Sequence, residues 1–151
     1  MSLVFVPLTR DDLAGWARSG SLTPARAFAV TSGLRTAFGF AAPADTEDAE
    51  YTVMNIAGLA ALLAGGERLV AVADAVVADT ADEFGEVAPG GLDWAGVTAL
   101  FAEGSAELAG PVRSALVGVT VAEAWDDPRV ESLLSEGSLL WHDVSEWGTL
   151  V

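Results

Sequence analysis

The sequence predicts an α/β or α+β fold: one domain over residues 1–151, a mixed β-sheet with helices packed on its faces. Three observations predict it. A chain of 151 residues with 52% apolar content has the size and composition of one domain with its own core. Leu69-Val70-Ala71-Val72-Ala73 is continuous apolar sequence, the pattern of a central strand covered on both sides. Short β-type runs alternate with segments that start on capping residues and stop on glycine, and no repeat or linker interrupts them.

Taken in order, residues 3–7 form a β-type run ended by Pro7, and Thr9-Arg10-Asp11-Asp12 supplies a cap and first-turn acids for a helix closed by Gly20. Leu13, Trp16 and Ala17 share its buried face. Residues 27–30 read as a second strand, after which Thr31 or Ser32 caps a short helix carrying Leu34 and Phe38. Residues 40–44 read as a loop, and Asp45-Thr46-Glu47-Asp48 opens the longest helix. There Ala49, Val53, Ile56, Ala60 and Leu63 repeat at three- and four-residue spacing until Gly65-Gly66. An edge strand is expected over 83–87, a turn at Pro89-Gly90-Gly91, and a strand rather than a helix over 97–101. Gly110-Pro111 is expected to start a helix with Val112, Ala115, Leu116 and Val119 buried. Asp127-Pro128 starts another that Gly137 ends, and residues 138–142 form the last strand.

The same residues exclude much chemistry. Without cysteine there are no thiol nucleophiles, disulfides or Cys-ligated metals, and without lysine no Schiff base or phosphate-binding lysine loop. No serine sits in a nucleophile elbow, and Gly65-Gly66 and Gly90-Gly91 read as turns rather than a dinucleotide fingerprint. No cofactor is expected. Of the apolar residues 28 are alanine and one is isoleucine, a bias typical of GC-rich coding, so each buried position removes little area and the core is broad but shallow. The five tryptophans are therefore expected to supply much of it, with Trp141 and Trp147 the candidates for an interface, including a homodimer.

Charge is distributed unevenly within the net −15. Residues 1–40 carry four arginines against two aspartates, and residues 41–151 carry three arginines against twenty acids. Such a body repels nucleic-acid phosphates and anionic membranes, so neither is an expected partner. The opening residues lack a basic leader, and the longest uncharged run, 51–66, holds Thr52, Asn55 and glycines, so a cytoplasmic setting is expected.

Val4-Phe5-Val6-Pro7, Ala27 to Thr31 followed by Leu34-Arg35, Glu47 to Tyr51, Leu69 to Asp74, and Leu139-Leu140-Trp141 together resemble a family of uncharacterised actinobacterial proteins: acidic, alanine-rich α/β domains of about this length. The resemblance spans most of the chain and implies a cytoplasmic bacterial domain with no assigned catalytic residues. In the family pattern tyrosine usually stands at the position of His142.

A few constellations remain. Thr9 with Arg10, and Thr31 with Arg35, lie at helix starts where unpaired N–H groups and an arginine would favour a small anion, although capping alone explains both threonines. Asp74 ends the central strand, where ligands gather in open α/β sheets. His142, followed by Asp143 and Glu146, is the one imidazole among carboxylates. The acids of 45–50 lack the glycine and distal glutamate of a calcium loop. The expectation is a non-enzymatic binding or regulatory domain acting through protein contacts or a small anionic ligand. The alternatives are a small hydrolase or metal-dependent enzyme using Asp74 and His142, and an acidic mimic of nucleic acid that binds a basic protein.

Overall fold

Residues 2–151 are described by a computed structural model. The chain begins with strand β1 (Ser2–Pro7), whose central side chains are all buried. Helix α1 (Arg10–Ser19) starts where the Thr9 hydroxyl accepts from the Asp12 amide at 3.0 Å and the Asp12 carboxylate accepts from the Thr9 amide at 3.1 Å. It stops at Gly20, whose φ of 87° is the left-handed conformation that glycine tolerates. Trp16, fully buried on its inner face, donates from Nε1 to the Leu92 carbonyl at 3.1 Å.

That contact ties α1 to a two-stranded ribbon of β2 (Ser21–Leu22) and, far along the chain, β6 (Leu92–Asp93), which two-residue runs do not announce in sequence. Strand β3 (Ala27–Ala29) leads to α2 (Ser32–Phe38), capped by Thr31 as expected. A 3-10 turn at Pro43–Asp45 precedes α3 (Thr46–Leu63), in which every residue from 53 to 63 is buried. A helix apolar all round must be covered all round. One side of α3 packs on the sheet, and the other is covered by α4 (Ala106–Leu116) and α5 (Val121–Trp125), with α6 (Pro128–Glu136) beyond them.

With β4 (Leu69–Ala75), β5 (Glu86–Val87), β7 (Val97–Glu103) and β8 (Leu139–His142), the large sheet runs β5-β3-β1-β4-β7-β8. Every pairing is antiparallel, which narrows the expected mixed sheet to an antiparallel one. The central strand β4 is apolar on both faces, as its sequence demands. One face (Phe5, Phe28, Val70, Val72) meets α3, and the other (Val4, Val6, Ala29, Ala71, Ala73) meets α1 and the 3-10 turn Val144–Thr149.

Three expectations need correction. Gly110-Pro111 does not start α4. The helix begins five residues before Pro111, where the Ser105 carbonyl accepts from the Leu108 and Ala109 amides at 3.0 Å, and Pro111 sits inside it at the loss of one backbone bond. Its buried stripe is Ala109, Val112 and Leu116, leaving Ala115 exposed and Val119 beyond the helix end. Nor do all the tryptophans enter the core: Trp16 is fully buried and Trp94, Trp125 and Trp147 pack against it partly buried, but Trp141 is exposed. Alanines on α3, β3 and β4 let the layers approach closely, so the interior closes on small side chains.

Candidate functional site

The two helix starts read as anion sites already hold carboxylates of the chain itself. At α2 the Asp79 carboxylate accepts from the Ser32 amide at 2.8 Å and from the Thr80 amide at 3.0 Å. The Ser32 hydroxyl and amide, with the Thr80 amide, hold the Asp79 carboxyl below its ordinary range. Gly33 lets this segment dock, because a Cβ there would lie 2.4 Å from the Ala81 carbonyl carbon. Thr31 is buried and spends its hydroxyl on the Leu34 amide, and Arg35 points to the far end of α2, donating to the Phe40 carbonyl at 2.9 Å and the Thr46 hydroxyl at 3.2 Å. At α1 Thr9 is engaged in its capping box, and Arg10 grips Glu67 through two 2.8 Å bonds.

The predicted residues also do not converge. Antiparallel pairing of β1 with β3 and β4 places Thr31 and Asp74 at one end of the sheet and Thr9 with Arg10 at the other. Asp74 is exposed beside Leu3 and alternates onto the α3 face with Val70 and Val72. His142 pairs with Leu100 and lies on the opposite face, its Nδ1 3.4 Å from a Glu146 carboxylate oxygen. The two residues of the hydrolytic alternative therefore point to opposite sides of the sheet. Among the described residues no three carboxylate or imidazole side chains gather as a metal would require.

The two candidate interface tryptophans separate as well. Trp147 packs under the sheet beside α1, with the Arg18 guanidinium 5.8 Å from its ring centre. Trp141 is 60% exposed on the α3 face. It stands over a groove of about 480 Å³ that opens where α3, which packs on β1, β3 and β4, leaves the β7–β8 side of the sheet partly uncovered. Leu3, Phe5, Met54, Val72, Phe101 and Leu139 line it. Tyr51, 59% exposed, rims the helix side, and Glu50 is the only charged residue in its wall.

At the end of β7, between the sheet and α3, lies a feature that sequence reasoning missed. Arg68 and Glu103 form a buried two-armed ion pair, Arg68 Nε donating to Glu103 at 2.8 Å, with side chains 1% and 4% exposed. Arg68 also reaches the Gly137 carbonyl, and the Ser105 amide donates to Glu103, so each polar atom is met. The pair ties β4, β7 and the entry to β8 together. Its only sequence signal is an arginine directly against the apolar run at Leu69.

The model of a family described as a family of unknown function (DUF6912) matches residues 2–151. No curated protein and no solved structure matches the chain.

Proposed function

We propose that this chain, which belongs to the family of unknown function DUF6912, is a non-enzymatic binding domain that works through protein contacts at the groove between α3 and the β7–β8 end of the sheet. The observation that carries this reading is Trp141. A fixed strand holds a large aromatic side chain over an apolar groove with Tyr51 opposite, the arrangement of an association hot spot. Against a small anion at the helix starts stands the internal use of Arg10, Arg35 and Asp79, whose hydrogen bonds a ligand would have to break.

No helix among the described residues is long and apolar enough to cross a membrane. That, with the lack of cysteine, supports a cytoplasmic setting for these contacts, and the resemblance to actinobacterial domains implies an actinobacterial source. Selection from a random peptide display library tests the reading. Peptides enriched on the native chain should lose about 30-fold in affinity on Trp141→Ser, the loss a hot-spot aromatic carries. Enriched peptides that bind Trp141→Ser equally well, with both proteins folded by circular dichroism, would contradict it.

A further inference from the structure

Strand β8 ends the large sheet, and among the described residues no strand pairs with its outer side and no side chain bonds its backbone. Natural edges are blunted by charge, proline, bulges or covering segments. Leu139-Leu140-Trp141-His142 has no proline and no acid or arginine, and its register with β7 carries no bulge. The 3-10 turn that follows packs against β7 and α1, on the face away from the groove.

From this geometry we infer the occupant: an extended cationic and apolar segment of a partner protein that adds as a seventh strand on β8. Resting on the reading of the groove as the binding face, the inference names what fills it. In such an added strand alternate side chains fall on one face. One set would lie beside Trp141 and lean into the groove, and main-chain bonds to β8 would supply register.

Charge selects the chemistry. Glu50 is the one charged residue lining the groove and, among the described residues, has no cationic partner. Asp143, immediately after β8, accepts from the Ser145 amide and hydroxyl and from no cation. The stretches that carry Glu50, Tyr51 and Met54 (36–67) and Leu139 and Trp141 (130–151) contain no arginine or lysine. The seven arginines lie elsewhere and are engaged: Arg10, Arg26, Arg68 and Arg129 with carboxylates, Arg35 and Arg113 with backbone carbonyls, and Arg18 over the Trp147 ring on the face away from the groove. Lysines or arginines flanking the apolar positions of an added strand would meet this field and be drawn to it. A second copy fits less well, since two chains of net charge −15 would have to be held together along a four-residue seam.

Two synthetic peptides with the same alternating leucine and valine positions, one carrying lysines between them and the other glutamates, test the inference by fluorescence anisotropy and amide NMR. The lysine peptide is expected to bind at least about tenfold tighter than the glutamate peptide, to weaken with salt, and to shift the amides of residues 139–142. Its affinity should fall severalfold on Glu50→Gln and be lost on Trp141→Ser. Equal binding of both peptides, or binding without shifts in β8, overturns the inference while leaving the groove as a contact face. Binding by neither peptide overturns it too, and the library selection then decides separately whether the groove binds protein. Sedimentation showing a dimer of the native chain that Trp141→Ser abolishes would assign the edge to a second copy and overturn it as well.

Discussion

The two edges of the sheet are finished in opposite ways. At β5 the chain closes its own edge: the Thr80 hydroxyl donates to the Glu86 carbonyl at 3.0 Å, and the Asp82 carboxylate accepts from the Glu86 amide at 3.0 Å. An Arg26–Glu86 ion pair lies across it, and Pro89 follows two residues after its end. At β8 the backbone has only β7 for a partner, and the side chains above it are leucine and tryptophan. The difference teaches where the fold spends its polar groups. Carboxylates and hydroxyls that seal one edge are absent from the other, where the Arg68–Glu103 pair, buried between α3 and the sheet, anchors the entry to β8 and leaves its rim bare.

Because both edges carry an Arg–Glu pair, they can be broken in parallel, and the largest effect should come from the buried one. Arg68→Ala leaves Glu103 buried and uncompensated and should cost about 3–5 kcal/mol, a large share of the stability of a domain this size. Arg26→Ala, at a half-exposed pair, should cost no more than about 1 kcal/mol. Urea denaturation of the two variants checks this, and equal costs would refute the idea that the buried pair anchors β8.

The tryptophans give the next contrast. Trp16→Ala removes a fully buried ring and its bond to Leu92, with an expected loss of about 3–5 kcal/mol in chemical denaturation. Trp141→Ser should stay within about 0.5 kcal/mol of the native chain, as a surface change does. A large loss at Trp141 would make it a packing residue.

On the closed side Gly33→Ala drives a methyl into the Ala81 backbone and should cost about 1–3 kcal/mol by thermal melting, with β5 and its docking segment loosened first. The smallest effect concerns acid. Asp127, held by Arg129, has its carboxyl lowered to about 2, and Asp79 beside β5 and Asp143 after β8 are lowered by hydrogen bonds from Ser32 and Ser145. A depressed carboxyl stabilises the fold above its unfolded value, near 4, and that contribution is lost as pH falls through the folded value. Carbon-detected NMR should therefore show the Asp127 carboxyl titrating near 2, and Asp79 and Asp143 each titrating below the unfolded range. An Asp79 or Asp143 carboxyl titrating at the ordinary aspartate value would show that its hydrogen bonds do not hold it.

What could be read in the sequence was what neighbours in the chain decide. The Thr9 cap, the Gly20 stop, the stripe of α3 and the two-faced apolar strand at Leu69 each follow from residues a few positions apart. The Gly110-Pro111 start failed because proline's preference for a first turn was outweighed by the burial of Ala109 before it, in a turn whose amides bond the Ser105 carbonyl. Helix α5, five residues long, is too short to show a period. At the site, Trp141 was legible as an aromatic near the end of the chain. Tyr51 was not, because its exposure depends on where α3 crosses the sheet. Partners distant in sequence were equally hidden: Asp79 fills the α2 start from 47 residues away, and Glu103 meets Arg68 across 35.

Hydrogen exchange on the native chain, with and without a peptide selected from the display library, reads both edges in one experiment. The account predicts that bound peptide slows amides within residues 139–142 and leaves those of Glu86 and Val87 unchanged. Protection that appears at β5, or a bound peptide that leaves the β8 amides exchanging as before, would contradict it.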